Sequence, residues 1–190
     1  MRLVAYTEAP TFGGADISLS LLLEALEIFR ETGAAGRYGW TLSNLGAVYV
    51  ERGELASAEK AFQEAVSGLR RTHEQGYLVE AERQLAEVLL RQGKTDEAER
   101  IVTAAQRRVG RDDVWTRASM LHASGLVRAA QGRRDEACEE FSAALEIIEP
   151  TMYTILATEI RASLEALRAG ADAIVERGIV PTRLKAEDPA

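Results

Sequence analysis

Glycine stands at positions 53, 93 and 132 and alanine at 58, 98 and 137, and both series advance by 40 and then 39 residues. Two residue classes that keep the same steps through three units mark a repeated supersecondary element, which constrains the fold more than any single motif. In the first unit Leu42, Leu45 and Tyr49 are spaced three or four apart, and so are Ala58, Phe62, Ala65 and Leu69. That spacing predicts two amphipathic helices, with Gly53 breaking the chain between them. Gly46 and the alanines are small where the two backbones must approach. A hairpin of this kind cannot bury its apolar stripe alone, so copies must stack on one another. The expected fold is all-α: antiparallel helix hairpins stacked as an α-solenoid.

The run Leu42-x-x-Leu45-Gly46-x-x-Tyr49 followed by Ala58-x-x-x-Phe62 resembles the tetratricopeptide repeat, with Leu42 in the position usually held by tryptophan. The period exceeds the family's usual unit of about 34 residues. A longer helix and a longer link, such as 72–76, would absorb the excess. Asp113 to Arg117, Gln131 to Ala137 and Ile148 to Thr151 resemble the last repeats of bacterial adenylate cyclase-like and LuxR-type regulators. These resemblances imply non-catalytic protein–protein interaction on a concave face, in a sensing or regulatory module.

Aligned on the period, the array spans 18–170: a partial repeat at 18–36, full repeats at 39–71, 79–109 and 118–149, and a capping helix at 151–169. The partial repeat's helix, with Leu19, Leu22, Leu23, Leu26 and Phe29 on its apolar face, would be capped by Asp16 and ended by Gly33 and Gly36. The capping helix would bury Met152, Ile155, Leu156, Ile160, Leu164 and Leu167. Residues 171–190 read as a tail. Residues 1–17 are irregular, because Pro10, Gly13 and Gly14 interrupt any helix. Residues 1–26 also resemble the opening of two-Rossmann-domain glycosyltransferases, a strand running into a Gly-Gly loop, so an enzyme fragment is one alternative. The other reading makes this segment a degenerate repeat.

A net charge of −7 argues against a broad nucleic-acid surface. With Cys138 as its single cysteine the chain forms no internal disulfide, which suits a cytoplasmic setting. Apolar runs are too short or too interrupted for a membrane span. His73, His122 and Cys138 lack metal-ligand spacing, and no nucleophile or phosphate-loop motif occurs, so no catalytic residue, metal or cofactor is expected. Arg107, Arg108 and Arg111 read as complements to a helix dipole. Glu139 and Glu140 read as a solvated face.

Carried over by the repeat resemblance, the groove positions are Trp40, Ser43 and Asn44 in the first repeat and Glu80, Arg83, Gln84, Glu87 and Arg91 in the second. His122 comes from the third and Arg161 from the capping helix. The expected partner is a protein or peptide, or a second copy of the chain as a homodimer. Trp40 either anchors a ligand or packs on a neighbouring helix, and Arg83 and Arg161 offer paired donors for a carboxylate. Arg128 stands where Tyr49 stands in the first repeat. It must either reach outward or meet a carboxylate.

Overall fold

The computed structural model describes residues 14–72, 74–110 and 113–170, with the backbone alone at 14–17. These residues form α1 (Gly14–Glu31), α2 (Ala35–Glu51), α3 (Leu55–Leu69), α4 (Gln75–Arg91), α5 (Thr95–Gln106), α6 (Val114–Ala130), α7 (Arg134–Ile148) and α8 (Thr154–Arg168). No strand occurs among them. The chain divides into two compact units, residues 1–77 and 78–190. Residues 1–13, including Pro10 and Gly13, with His73, Arg111 and the expected tail at 171–190, lie outside the described residues.

One backbone turn recurs. After α1, α2, α4 and α6 the residue following a glycine donates its N–H to the carbonyl five residues back. The bonds are Ala34 to Phe29 (3.0 Å), Glu54 to Tyr49 (2.8 Å), Lys94 to Leu89 (2.9 Å) and Arg133 to Arg128 (2.9 Å). The glycines Gly33, Gly53, Gly93 and Gly132 have φ of 67°, 75°, 75° and 74°, a left-handed conformation that a Cβ would strain. Gly33 thus joins α1 to α2 by the turn that elsewhere links the two helices of a repeat. The exits of α3, α5 and α7 carry no such glycine among the described residues. Gly36, expected to help end α1, instead lies inside α2. Asp16, expected as the cap of α1, lies within the helix because α1 already begins at Gly14.

The long period is explained by helix length. The first helix of each full repeat has 17 residues, starting at Ala35, Gln75 and Val114, four residues ahead of the starts expected from the motif. Asp113 anchors the last of these, accepting from the Thr116 backbone N–H at 3.0 Å and from the Thr116 hydroxyl at 2.6 Å.

Packing inside each hairpin follows the repeat arithmetic. Ala58, Ala98 and Ala137, and two helical turns later Ala65, Ala105 and Ala144, all have no exposed surface. Between them lie Phe62, Val102 and Phe141, which are buried too. Opposite each stands the residue that decides how close the helices come. A Cβ on Gly46 would sit 2.6 Å from the Phe62 ring, and one on Gly125 2.4 Å from the Phe141 ring. At the same register the middle hairpin has Ala86 facing the smaller Val102, and both are buried. Glycine with phenylalanine, or alanine with valine: the pair conserves volume.

Two expected apolar faces are corrected. On α1, Leu22 and Leu26 are buried but Leu23 is 48% exposed. At α8, Leu156, Ile160, Leu164 and Leu167 are buried, whereas Met152 precedes the helix and is 87% exposed, and Ile155 is 72% exposed. The helical stripe at α8 therefore begins one turn later than the hydrophobic run suggests.

Arg128 meets a carboxylate. Its Nη1 donates to Glu99 Oε1 at 2.6 Å and to Gln131 Oε1 at 3.1 Å, and Gln131 Nε2 donates to Glu99 Oε2 at 2.8 Å. The Arg128 bond, then the Gln131 bond, hold the Glu99 carboxyl below its usual range. Ser124, which replaces Leu45 in this repeat, donates to Glu140 Oε1 at 3.0 Å. Glu140 is consequently half-buried rather than part of a solvated face. Arg108, expected only to complement a helix end, forms an ion pair with the buried Glu82 of α4. Cys138 is half-buried on α7.

Candidate functional site

In the second unit α4, α6 and α8 bring together a cluster of polar side chains. On α4, positions 80, 83, 84 and 87 share one face by helical spacing. Arg83 lies between two glutamates: its Nε and Nη2 donate to Glu80 Oε2 and Oε1 at 2.9 and 2.7 Å, and its Nη1 donates to Glu87. The three side chains retain only 15%, 13% and 20% of their exposure, so this is a half-buried network and not a surface pair. Burial works against the Arg83 charge, yet Glu80 and Glu87 outweigh it and hold the guanidinium firmly protonated. Burial also pushes the Glu87 carboxyl up to about 7, against the pull of Arg83. Glu159 of α8 is raised for the same reason, with Arg83 opposing and Glu80 reinforcing.

His122 of α6 adjoins this network. It has no exposed surface and lies against the Phe141 ring, with centroids 5.5 Å apart. Burial, and then the Arg83 charge, lower it to about 3, so the imidazole is neutral. Its Nε2 is 2.9 Å from Ser163 Oγ on α8. The Ser163 hydroxyl also lies 3.0 Å from the Glu159 backbone carbonyl, to which it can donate. Nδ1 is buried and without a partner among the described residues, as are Gln84 Oε1 and Ser119 Oγ. Ser119 lies one helical turn before His122.

The expected groove residues divide accordingly. Glu80, Arg83, Gln84 and Glu87 share the network face, with Arg91 half-buried one turn further along α4. Two of the expected residues are not open to a ligand. His122 is enclosed by Phe141 and Ser163, and Ser43 is 1% exposed with its hydroxyl 3.4 Å from the Gly39 carbonyl. Arg161 is exposed and paired to Glu149 at 2.6 Å. Arg83 is already engaged on both sides. Neither arginine is left as an unoccupied carboxylate grip. In the first unit Asn44 is half-buried, and Trp40 stacks on Tyr77 with centroids 4.8 Å apart and planes at 26°. Both rings stay partly open, at 38% and 43%.

Glu159 and Ser163 were missed. The available signal was Ser163 inside the apolar series Ile160, Leu164 and Leu167, a polar residue at a position that faces a neighbouring helix.

Among the described residues no group of acidic, histidine and cysteine side chains could hold a metal ion. Nor is any helix among them long and apolar enough to cross a membrane.

Residues 44–168 match the model of the tetratricopeptide repeat-like domain, and residues 13–71 match that of the tetratricopeptide repeat. The chain belongs to the tetratricopeptide-repeat family. A comparison with curated proteins finds no match. Tetratricopeptide repeats are in general protein–protein interaction modules. The repeat match from residue 13 takes in α1.

Proposed function

We propose that this tetratricopeptide-repeat chain is a non-catalytic scaffold that holds an extended peptide or a partner helix on the face lined by α4, α6 and α8, as the sensing or regulatory part of a larger signalling system. The observation supporting this reading is the polar network on that face. Glu80, Arg83, Glu87 and Glu159 converge from two helices at positions that a purely structural stack would fill with apolar side chains. The open Trp40–Tyr77 stack is a second candidate anchor, on the first unit.

Affinity capture from the source cell with wild type, Arg83→Glu and Trp40→Ala tests it. Partners should be lost from the Arg83→Glu sample. Retention of the same partners by both variants would remove the assignment.

A second reading, self-association, is favoured by Leu21, Leu23 and Ile28, which leave α1 with side chains 52%, 48% and 50% exposed. Light scattering separates the two, since only self-association predicts a mass that rises with concentration.

A further inference from the structure

The polar cluster of the second unit has an excess of acceptors. Three carboxylates, Glu80, Glu87 and Glu159, face one guanidinium, that of Arg83. Arg83 has placed its Nε–H, one Nη2–H and one Nη1–H on Glu80 and Glu87. Beside these carboxylates lies a further buried acceptor without a donor among the described residues, Gln84 Oε1. Gln84 sits between Glu80 and Glu87 on the same face of α4. His122 is close enough to Arg83 for that charge to oppose its protonation. What this surface lacks is N–H donors and positive charge. An acidic ligand would add a further negative charge to a site that already has too many, and an apolar one would leave the carboxylates and Gln84 Oε1 unmet.

We propose that the α4–α6–α8 face takes a cationic side chain, arginine or lysine, presented by a peptide segment of a partner protein. This rests on the reading of that face as the interaction surface, and it specifies the chemistry of the occupant. Docked there, the cation pairs with Glu87 and Glu159, and a remaining N–H group is left for Gln84 Oε1. The groups facing it are Glu80, Arg83 and Glu87 from α4, the neutral His122 from α6 and Glu159 from α8. A cation drives Glu87 and Glu159 toward their ionised forms. Binding near pH 7 therefore releases protons, because Glu87 is only partly ionised there when the site is empty.

Panning the full chain against a displayed library of random dodecapeptides tests this. Selected peptides are then titrated calorimetrically at pH 7 in phosphate and in Tris, whose heats of ionisation differ. Peptides enriched in arginine or lysine are expected, with heats that depend on the buffer and affinities at least tenfold weaker for Glu87→Gln, Glu159→Gln and the double variant. Circular dichroism checks that each variant is folded. Selected peptides without cationic enrichment, but still sensitive to these substitutions, would overturn the inference and leave the face intact as the binding surface. Peptides indifferent to every substitution on the face, or no binders at all, would overturn both.

Discussion

Gly125→Ala is expected to destabilise the chain by about 2 kcal/mol, and Phe141→Val to recover part of that loss. Alanine in a helix interior ordinarily stabilises relative to glycine, by up to about 1 kcal/mol. At this position a Cβ would lie 2.4 Å from a ring carbon of Phe141, far inside any non-bonded carbon contact. Phe141 has no exposed surface, so the ring cannot swing into solvent. Overpacking of a closed core costs roughly 1–3 kcal/mol and outweighs the propensity gain. Phe141→Val alone should also destabilise, by roughly 2 kcal/mol, through the cavity it leaves. Together the two substitutions recreate the Ala86 and Val102 pair of the middle hairpin, so their effects should fall short of additive by at least about 1 kcal/mol. Urea denaturation of the four proteins in the cycle measures this directly. Strict additivity would mean that the two positions do not share one volume.

Acid should destabilise the chain through His122, with Glu87 delaying the net effect. The unfolded chain binds a proton on this residue near 6.5, whereas the folded site does so only near 3. A depressed folded value means that the contribution is complete above 6.5 and is lost as pH falls from there toward 3. Over that whole span the loss is on the order of 4 kcal/mol. Glu87 has the opposite sign. Its folded value of about 7 exceeds the unfolded value of 4.5, so its contribution is present below 4.5 and is lost as pH rises to 7. Between 4.5 and 6.5 the two nearly offset each other, and the stability profile should be flat there. Below 4.5 His122 acts without that offset, and the profile should steepen. His122→Gln removes the acid limb, and Glu87→Gln should turn the flat stretch into a slope that rises toward pH 6.5. Proton NMR of the His122 ring provides the direct check: its shift should stay constant from pH 8 to 4, and a midpoint near 6.5 would refute the burial argument.

Much of the architecture was legible before any coordinates. Gly53, Gly93 and Gly132 announced three identical turns because only a residue without a Cβ takes that backbone conformation freely. The steps between Ala58, Ala98 and Ala137 announced the closely packed helices they lie on, since burial of every member follows from repetition of one environment. Gly46 pointed to Phe62 through the family pattern. The helix starts were missed by four residues, because residues 35–38 have no apolar series of their own and are helical as a continuation of α2. Ile155 and Met152 misled for the converse reason: they keep helical spacing, but no side chain among the described residues covers them.

For the candidate site the division is sharper. Helical spacing and the repeat resemblance placed positions 80, 83, 84 and 87 on one face of α4. They did not show that Arg83 would be engaged by Glu80 and Glu87. Nor could they determine that His122 and Ser43 are enclosed, that Glu159 and Ser163 complete the cluster, or that Arg128 finds Glu99. Each of those depends on what a second helix, far away in the chain, lays over the first. Spacing along one helix sets direction within that helix. Burial, hydrogen-bond satisfaction and the resulting shifts in protonation arise only from the packed neighbours.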